Sequence, residues 1–172
     1  MADTVIIHDL PPKEASRLLS ALPADSFVFN ALPAVNHCMG CFDCWTKTPG
    51  LCVIRDRHQE LAHALAGCGA LIILSRCVYG GLSPAVKVAM DRSIGYMLPY
   101  FYLDRKRDEL HHQPRYKERM VLRWHLYGEA TREERRTAEA LAAANGVNLL
   151  AKECRVSFYP AAGDIPPLGG AV

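Results

Sequence analysis

The chain has 172 residues, half of them hydrophobic, and a formal net charge of +2 at pH 7. This length and apolar content predict a single domain over residues 1–172 with an ordinary hydrophobic core. The small charge argues against a nucleic-acid partner. The N-terminus lacks a signal-peptide pattern, and the strongest apolar run, residues 70–74, is too short to span a membrane. We therefore expect a cytoplasmic protein with no membrane partner.

The first half of the chain alternates short apolar runs with helical patterns. Three strands are predicted where β-branched and apolar residues follow one another, at residues 4–8, 26–30 and 70–74. Pro11 and Pro12 favour a helix start after the first strand, and a second helix is predicted at residues 56–66. Ser83 and Pro84 form a cap and first-turn pair for a third helix.

The second half begins with an irregular stretch, residues 95–119, that is rich in aromatic and charged side chains. Residues 120–127 alternate like a strand, and Thr131 to Glu134 have the spacing of a capping box that starts a helix. A last strand is predicted at residues 148–158, followed by a Pro/Gly-rich tail from about residue 160 that we expect to be loosely held.

Five strands separated by helices predict an α/β fold in which helices cover both faces of a parallel sheet. In such sheets, ligands bind outside the carboxyl ends of the strands, near the switch in strand order. The loops that follow residues 8, 30, 74 and 127 are therefore the candidate site loops.

One of these loops carries four cysteines within fifteen residues: Cys38, Cys41, Cys44 and Cys52. Two overlapping C-x2-C steps bring three sulfurs near each other, and the turn at Pro49 and Gly50 folds the fourth back towards them. This spacing is typical of an iron–sulfur centre. Structural zinc fits less well, because its usual signature is two separated C-x2-C pairs. The alternative is that the cysteines pack as small apolar side chains.

A second distinctive segment, residues 71–87, reads Leu-Ile-Ile-Leu-Ser-Arg-Cys-Val-Tyr-Gly-Gly-Leu-Ser-Pro-Ala-Val-Lys, and Asp91 and Arg92 follow it. Together with the cysteine segment, it resembles the flavodoxin-like NAD(P)H-dependent FMN reductases and, among them, iron–sulfur flavoproteins. The resemblance implies a flavodoxin-like three-layer sandwich that binds FMN at the strand ends. It also implies electron transfer from NAD(P)H to a small-molecule or protein acceptor, with the four cysteines as ligands of an iron–sulfur centre.

In this family, the loop that matches residues 75–81 runs under the flavin ring. The expected contacts are therefore Ser75, Arg76, Cys77, Val78, Tyr79, Gly80 and Gly81. Tyr79 offers a face for stacking, Gly80 and Gly81 allow a close approach of backbone N–H groups, and Arg76 places a cation near the ring. The alternative is that the glycines merely turn the strand into its helix while Tyr79 packs against a neighbour.

The first loop departs from the family pattern. The family holds the FMN phosphate there with Gly-Ser-x-Arg, but this chain has two prolines, and Asp9 and Glu14 would repel the phosphate. Only His8 and Lys13 remain as candidate phosphate contacts. The rival hypothesis is therefore a non-enzymatic flavodoxin-like module that has lost its flavin.

Two further features lie between residues 96 and 123. The aromatic run at residues 96–102 predicts either the face of a homodimer or higher oligomer, or a wall over the ligand site. The alternative is that it packs inside the monomer. The basic residues that follow are interspersed with acidic ones, so a solvated surface of mixed charge is expected there.

Overall fold

The computed structural model describes residues 2–20, 22–105, 108–116 and 120–168. The main sheet consists of strands β1 (Thr4–His8), β2 (Ser26–Asn30), β3 (Ala70–Arg76), β6 (Val121–Tyr127) and β7 (Glu153–Tyr159). The helices are α1 (Pro12–Leu19), α2 (Asp43–Thr46), α3 (His58–Leu65), α4 (Pro84–Asp91) and α5 (Arg132–Asn148). A separate pair of strands, β4 (Met97–Asp104) and β5 (Glu109–Pro114), lies outside this sheet.

The five main strands are all parallel and follow the order β2-β1-β3-β6-β7. β1 and β3 are neighbours at the centre, and His8 lies between Asn30 and Leu74 in register. The predicted α/β fold with a five-stranded parallel sheet is confirmed. The switch in strand order occurs between β1 and β3, so the loops after these strands border the expected ligand position.

The side chains of the sheet alternate between two cores, as expected for a strand period of two. Ile7, Leu71 and Ile73 belong to the larger core, which includes buried residues of α3, α4 and α5. Ile6 and Ile72 belong to the smaller core, where α1 contributes Leu18. The sheet is therefore the middle of three layers.

The chain beyond β7 completes the α1 layer. Ile165 and Leu168 are buried in the smaller core. Arg17 of α1 donates hydrogen bonds to the carbonyls of Ala162, Gly163 and Ile165. The expectation of a loosely held tail is therefore wrong up to Leu168, and residues 169–172 lie outside the described part of the chain.

The stretch predicted to be irregular contains a hairpin ribbon formed by the antiparallel strands β4 and β5. Its pattern is hard to detect because the register shifts between Met97 and Phe101, and Pro99 lies inside the strand. The start of the last strand is also corrected: α5 continues to Asn148, and β7 begins only at Glu153.

Two predicted helix starts are confirmed. The Ser83 hydroxyl accepts a hydrogen bond from the Val86 N–H, and Thr131 and Glu134 form the reciprocal bonds of a capping box. Within the described ranges, no helix is both long enough and apolar enough to cross a membrane.

Candidate functional site at the carboxyl ends of the strands

The backbone N–H groups of the loop after β1 are hydrogen-bonded within the chain. The Asp9 N–H donates to the Leu74 carbonyl, and the Leu10 N–H donates to Nδ1 of His8 at 3.2 Å. Pro11 and Pro12 have no N–H to offer. Hence residues 9–12 present no free backbone N–H to a phosphate group.

His8 is also unsuited to supply a cation in this loop. The ring is buried, and its Nδ1 already accepts the bond from Leu10. Burial lowers the pKa of His8, and the nearby Asp9 carboxylate offsets only part of that effect. The neutral form is therefore favoured. Lys13 is exposed in the first turn of α1, so it is the cation of this loop that is available to a ligand.

Asp9 joins the ends of three strands. Its carboxylate accepts bonds from the Arg76 N–H at 3.1 and 3.3 Å and from the Tyr127 hydroxyl at 3.0 Å. Burial raises the pKa of Tyr127, and the negative charge of Asp9 raises it further, which keeps the phenol protonated as a donor. A buried carboxylate thus lies at the switch in strand order, where it repels a second anion.

The turn after β3 is a tight two-residue hairpin. Val78 and Gly81 exchange both backbone hydrogen bonds, at 3.0 and 2.8 Å. The central residues Tyr79 and Gly80 have φ angles of 50° and 75°. Positive φ at both central positions is the pattern of a type I′ turn, in which Asn-Gly is the usual pair. A tyrosine at the first of these positions is strained.

Gly80 is required for packing on α5. A Cβ atom at this position would lie 2.7 Å from the Glu134 carbonyl oxygen and 2.8 Å from Cβ of Thr137. The Gly80 N–H bonds to the Cys77 sulfur. The backbone donors of Val78, Gly80 and Gly81 are therefore engaged within the chain. Their expected approach to a flavin ring stays a prediction.

Tyr79 is the most exposed large side chain of this turn. Its side chain is 90% exposed, so the packed alternative for this residue does not apply. Arg76 is also exposed, and its side chain lies close to Gly128 at the end of β6. An aromatic face and a guanidinium group therefore stand free at the carboxyl edge of the sheet.

The remaining residues of the loop have structural contacts. The Ser75 hydroxyl is buried, accepts a bond from the Ser83 N–H at 2.9 Å and donates to the Arg76 carbonyl. Cys77 is part of the larger core, and burial raises the pKa of its thiol. These two side chains hold the loop in place.

The cysteine segment, residues 31–57, is anchored by contacts with residues 92–97 and with the hairpin ribbon. Trp45 donates its indole N–H to the carbonyls of Ile94 and Met97, at 3.1 and 3.0 Å. Its ring lies 5.5 Å from that of His112 in the hairpin ribbon. The turn that carries Tyr79 packs instead on α5. The two predicted halves of the site therefore have different structural supports.

Arg92 is the main anchor of the cysteine segment. Its side chain is fully buried and pairs with Asp56 at 2.6 Å. It also donates to the carbonyls of Asn36 and Ile54 and bonds to Cys52. Burial alone would raise the pKa of Asp56, but hydrogen bonds from Arg92, His58 and Asn36 hold it well below its usual range.

The four cysteines differ in exposure. Cys38 and Cys41 are exposed, Cys52 is half-buried and Cys44 is buried. Burial raises the pKa of the Cys44 thiol, and the neighbouring thiols of Cys52, Cys38 and Cys41 raise it further. The thiols therefore lie around Cys44. Within the described part of the chain, however, no three or more Cys, His, Asp or Glu side chains are arranged to hold a metal ion. The side chains as placed do not fit an iron–sulfur centre.

Sequence reasoning missed two polar side chains with internal bonds, the half-buried Tyr127 and the buried His58. Tyr127 ends one predicted strand and Asp9 follows another, and polar side chains at the same edge of a parallel sheet offer a hydrogen-bonded pair. His58 lies in a predicted helix, but it is fully buried and its Nε2 lies 2.9 Å from the Ala89 carbonyl. Its position two residues after Asp56, near the start of a predicted helix, gives no signal of burial.

No protein-family model matches this chain, and no curated protein sequence matches it either. Among solved structures, it is similar to an FMN-dependent NADH-azoreductase from Bacillus anthracis str. Ames Ancestor, crystallised in complex with FMN. That similarity has a TM-score of 0.54 and 13% sequence identity, over 96% of this chain and 91% of that one.

The chain is also similar to Smu.1420 from Streptococcus mutans UA159, with a TM-score of 0.56 and 9% identity, over 91% of this chain and 87% of that one. At such identities the similarity concerns the fold. Together with the strand order, it shows that the chain has a flavodoxin-like fold.

Proposed function

We propose that this chain is a flavin-dependent oxidoreductase that passes electrons from NAD(P)H to a small-molecule or protein acceptor. The expected flavin is FMN, with its isoalloxazine ring against Tyr79. The proposal is supported by the flavodoxin-like fold and by the structural neighbour that binds FMN. When bound, the flavin would supply the two-electron carrier between nicotinamide and acceptor.

The observation that carries the proposal is the conformation of Tyr79. A non-glycine residue at φ 50° costs free energy, and the ring gains no packing in return because it is 90% exposed. Strain kept at an exposed aromatic residue points to function. The residue also lies at the end of β3, beside the switch in strand order where flavodoxin-like sheets bind ligands.

The surroundings favour recognition of the ring over recognition of the phosphate. Residues 9–12 present no free N–H, and Asp9 adds a negative charge. Arg76 provides a cation that would stabilise negative charge on a reduced flavin. A flavin phosphate is left with Lys13 and the first turn of α1 as its local partners.

The experiment is a titration of the purified protein with FMN, followed by quenching of flavin fluorescence. Tyr79→Ala removes the stacking face and is expected to weaken binding about tenfold. Tyr79→Phe keeps the face and is expected to bind like the wild type. Addition of NADH or NADPH should then bleach the visible absorbance of the bound flavin. Equal affinity in all three proteins would exclude Tyr79 as the ring contact.

The loop after β1 has no free backbone N–H at residues 9–12, which favours one rival hypothesis, the non-enzymatic module without flavin. The two hypotheses differ in a single measurement, because the module binds neither FMN nor riboflavin at micromolar concentration. Absence of binding by wild-type protein would therefore decide for the module.

We propose the iron–sulfur centre expected from the cysteine spacing separately, and the electron transfer described above does not depend on it. Its test is the iron and acid-labile sulfide content of protein prepared without oxygen. Stoichiometric iron that is lost in Cys41→Ser would support a cluster that forms by rearrangement of Cys38 and Cys41, the two exposed thiols. Iron-free protein that is still folded would leave the thiols without this role.

A further inference from the structure

A cavity of about 210 Å³ lies beside β6, between helices α4 and α5. Its walls also include part of the short helix Arg92–Tyr96 that follows α4, and the first residue of β4, Met97. These residues differ from those of the candidate flavin site, where Asp9, Arg76 and Tyr79 lie. The cavity is therefore a separate candidate ligand site.

The cavity is apolar inside and polar at its rim. Met90, Met97 and Leu149 line it and are buried. Lys87 and Asp91 also line it but are exposed, so they mark the rim. Because these two side chains form an ion pair at 2.6 Å, their charges offset each other. The cavity therefore favours an uncharged and mainly apolar ligand.

Trp124 adds an unpartnered polar group to this wall. Its side chain is 1% exposed, and its indole N–H has no hydrogen-bond partner in the described part of the chain. The indole N–H of Trp45, in contrast, donates to the carbonyls of Ile94 and Met97. A buried donor without a partner destabilises the fold, and a water or a ligand that accepts its bond removes this cost.

The other polar side chains of the interior already donate within the chain. The Ser93 hydroxyl donates to the Ala89 carbonyl, and the Asn145 amide donates to the Leu141 carbonyl. A buried water typically makes about three hydrogen bonds, so a water at Trp124 would be poorly held. A ligand that brings apolar surface and one acceptor oxygen satisfies this site better.

The volume and the walls indicate the size of such a ligand. An apolar cavity of about 150 Å³ binds benzene, so this cavity of about 210 Å³ has room for one substituted aromatic ring. Met90 and Met97 offer thioether sulfurs, which make favourable contacts with aromatic rings. Because an indole N–H is a donor only, the substituent must carry an acceptor.

We propose that this cavity binds a small, neutral aromatic carbonyl compound whose oxygen accepts the hydrogen bond of Trp124 Nε1. The ring packs against Met90, Met97 and Leu149. The proposal does not depend on flavin binding, so Tyr79→Ala should leave this site unchanged.

The experiment titrates the protein with acetophenone and follows the indole N–H signals by NMR. The chain has two tryptophans, so Trp45→Phe assigns the two signals. Acetophenone is expected to bind with a dissociation constant of about 1 mM or lower and to shift the Trp124 signal downfield, because a free N–H becomes hydrogen-bonded. The Trp45 signal should move less, since that N–H is already bonded.

Ethylbenzene is the matched control ligand, because it has the same carbon skeleton without the oxygen. The ketone loses more hydration than the hydrocarbon on entering the cavity, so the informative quantity is the ratio of the two affinities. Trp124→Phe keeps an aromatic ring but removes the donor, and it should lower the affinity for acetophenone relative to ethylbenzene about fivefold. The methyl signals of Met90 and Met97 report binding in this variant.

A cavity-filling variant tests the location of the site. Asn145 is half-buried in the cavity wall, so Asn145→Phe should occupy the space and weaken binding of both ligands at least about tenfold. Ala144→Phe is the matched control, since Ala144 is exposed on the same helix and lies outside the cavity wall. Circular dichroism verifies that each variant is folded.

Three results would overturn the proposal. These are a Trp124 signal that does not move at millimolar acetophenone, an affinity ratio that Trp124→Phe leaves unchanged, and wild-type binding by a folded Asn145→Phe. The first and third results decide the question even if Trp124→Phe does not fold.

Discussion

The carboxyl edge of the sheet and the cysteine segment were both expected to carry chemistry, but they are held in different ways. At the sheet edge, separate hydrogen bonds hold His8, Asp9, Ser75 and Tyr127, and the Tyr79 side chain is exposed. The cysteine segment has one main anchor, the buried Arg92, which bonds to several of its residues. Damage at the edge should therefore be local, whereas loss of Arg92 should release a whole segment.

The largest effect is expected from Arg92→Leu. Removal of one member of a buried ion pair leaves Asp56 without its partner and should lower the free energy of unfolding by about 3–5 kcal/mol. Lys87→Ala is the matched control, because the Lys87–Asp91 pair is exposed and should contribute less than about 1 kcal/mol. Urea unfolding measures both. Equal costs for the two variants would contradict the anchoring role.

The second effect is a pH dependence that arises from His58. Burial lowers the pKa of His58 to about 4, although its bond to the Ala89 carbonyl opposes the shift. The unfolded chain, with a histidine pKa near 6.5, binds the proton more readily than the folded chain between these two values. Stability should therefore fall as the pH drops from about 6.5 to 4, by roughly 3 kcal/mol from this residue.

The measurement is urea unfolding at several pH values for wild type and His58→Gln. The variant keeps a side-chain donor but has no titrating ring, so its stability should change less across this pH window. His8 and His125 also have lowered pKa values because of burial, and they leave a residual slope in the same direction. An identical slope in both proteins would show that His58 does not contribute.

A smaller effect separates backbone strain from packing at the sheet edge. Gly80 and Gly40 both have positive φ, but a Cβ at Gly80 would collide with α5, whereas Gly40 has open space around it. Gly40→Ala should cost about 1 kcal/mol from strain, and Gly80→Ala about 2 kcal/mol more from overpacking. Thermal unfolding of both variants gives the difference. An equal loss of stability in the two variants would show that Gly80 has no special packing role.

The smallest effect concerns the flavin phosphate. Because the loop after β1 has no free donors, FMN and riboflavin should bind within about tenfold of each other, or 1.4 kcal/mol. Parallel titrations measure the ratio, and Lys13→Ala tests the exposed cation. A hundredfold preference for FMN would show that a phosphate site exists elsewhere, while flavin binding itself would still hold.

The regular parts of the fold could be predicted because local chemistry decides them. Strand β1, the Ser83 cap and the Thr131 capping box follow from residues that are adjacent in sequence. The hairpin ribbon was missed, because a bulge and a proline break its alternation. The packed tail was missed because its support, Arg17, is about 145 residues away in sequence.

Some features of the candidate site could also be predicted from the sequence, and others could not. Tyr79 at a tight turn could be predicted from its position after a buried strand and before Gly80 and Gly81. The close packing of Gly80 on α5 could not be predicted, because it depends on where a helix about fifty residues later in the sequence packs. Cysteine spacing indicated that the thiols lie near each other, but not whether their side chains converge on one point.

The docked tail has a consequence for how the protein matures during synthesis. The inner face of the α1 layer stays partly uncovered until Ile165 and Leu168 have been made, because these residues complete the core around Ile6 and Leu18. A nascent chain that lacks its last residues therefore exposes apolar surface of the central strand, the kind of surface that chaperones bind and that promotes aggregation. Stop codons placed shortly before residue 165 should thus yield insoluble chains, although all five strands of the sheet are present.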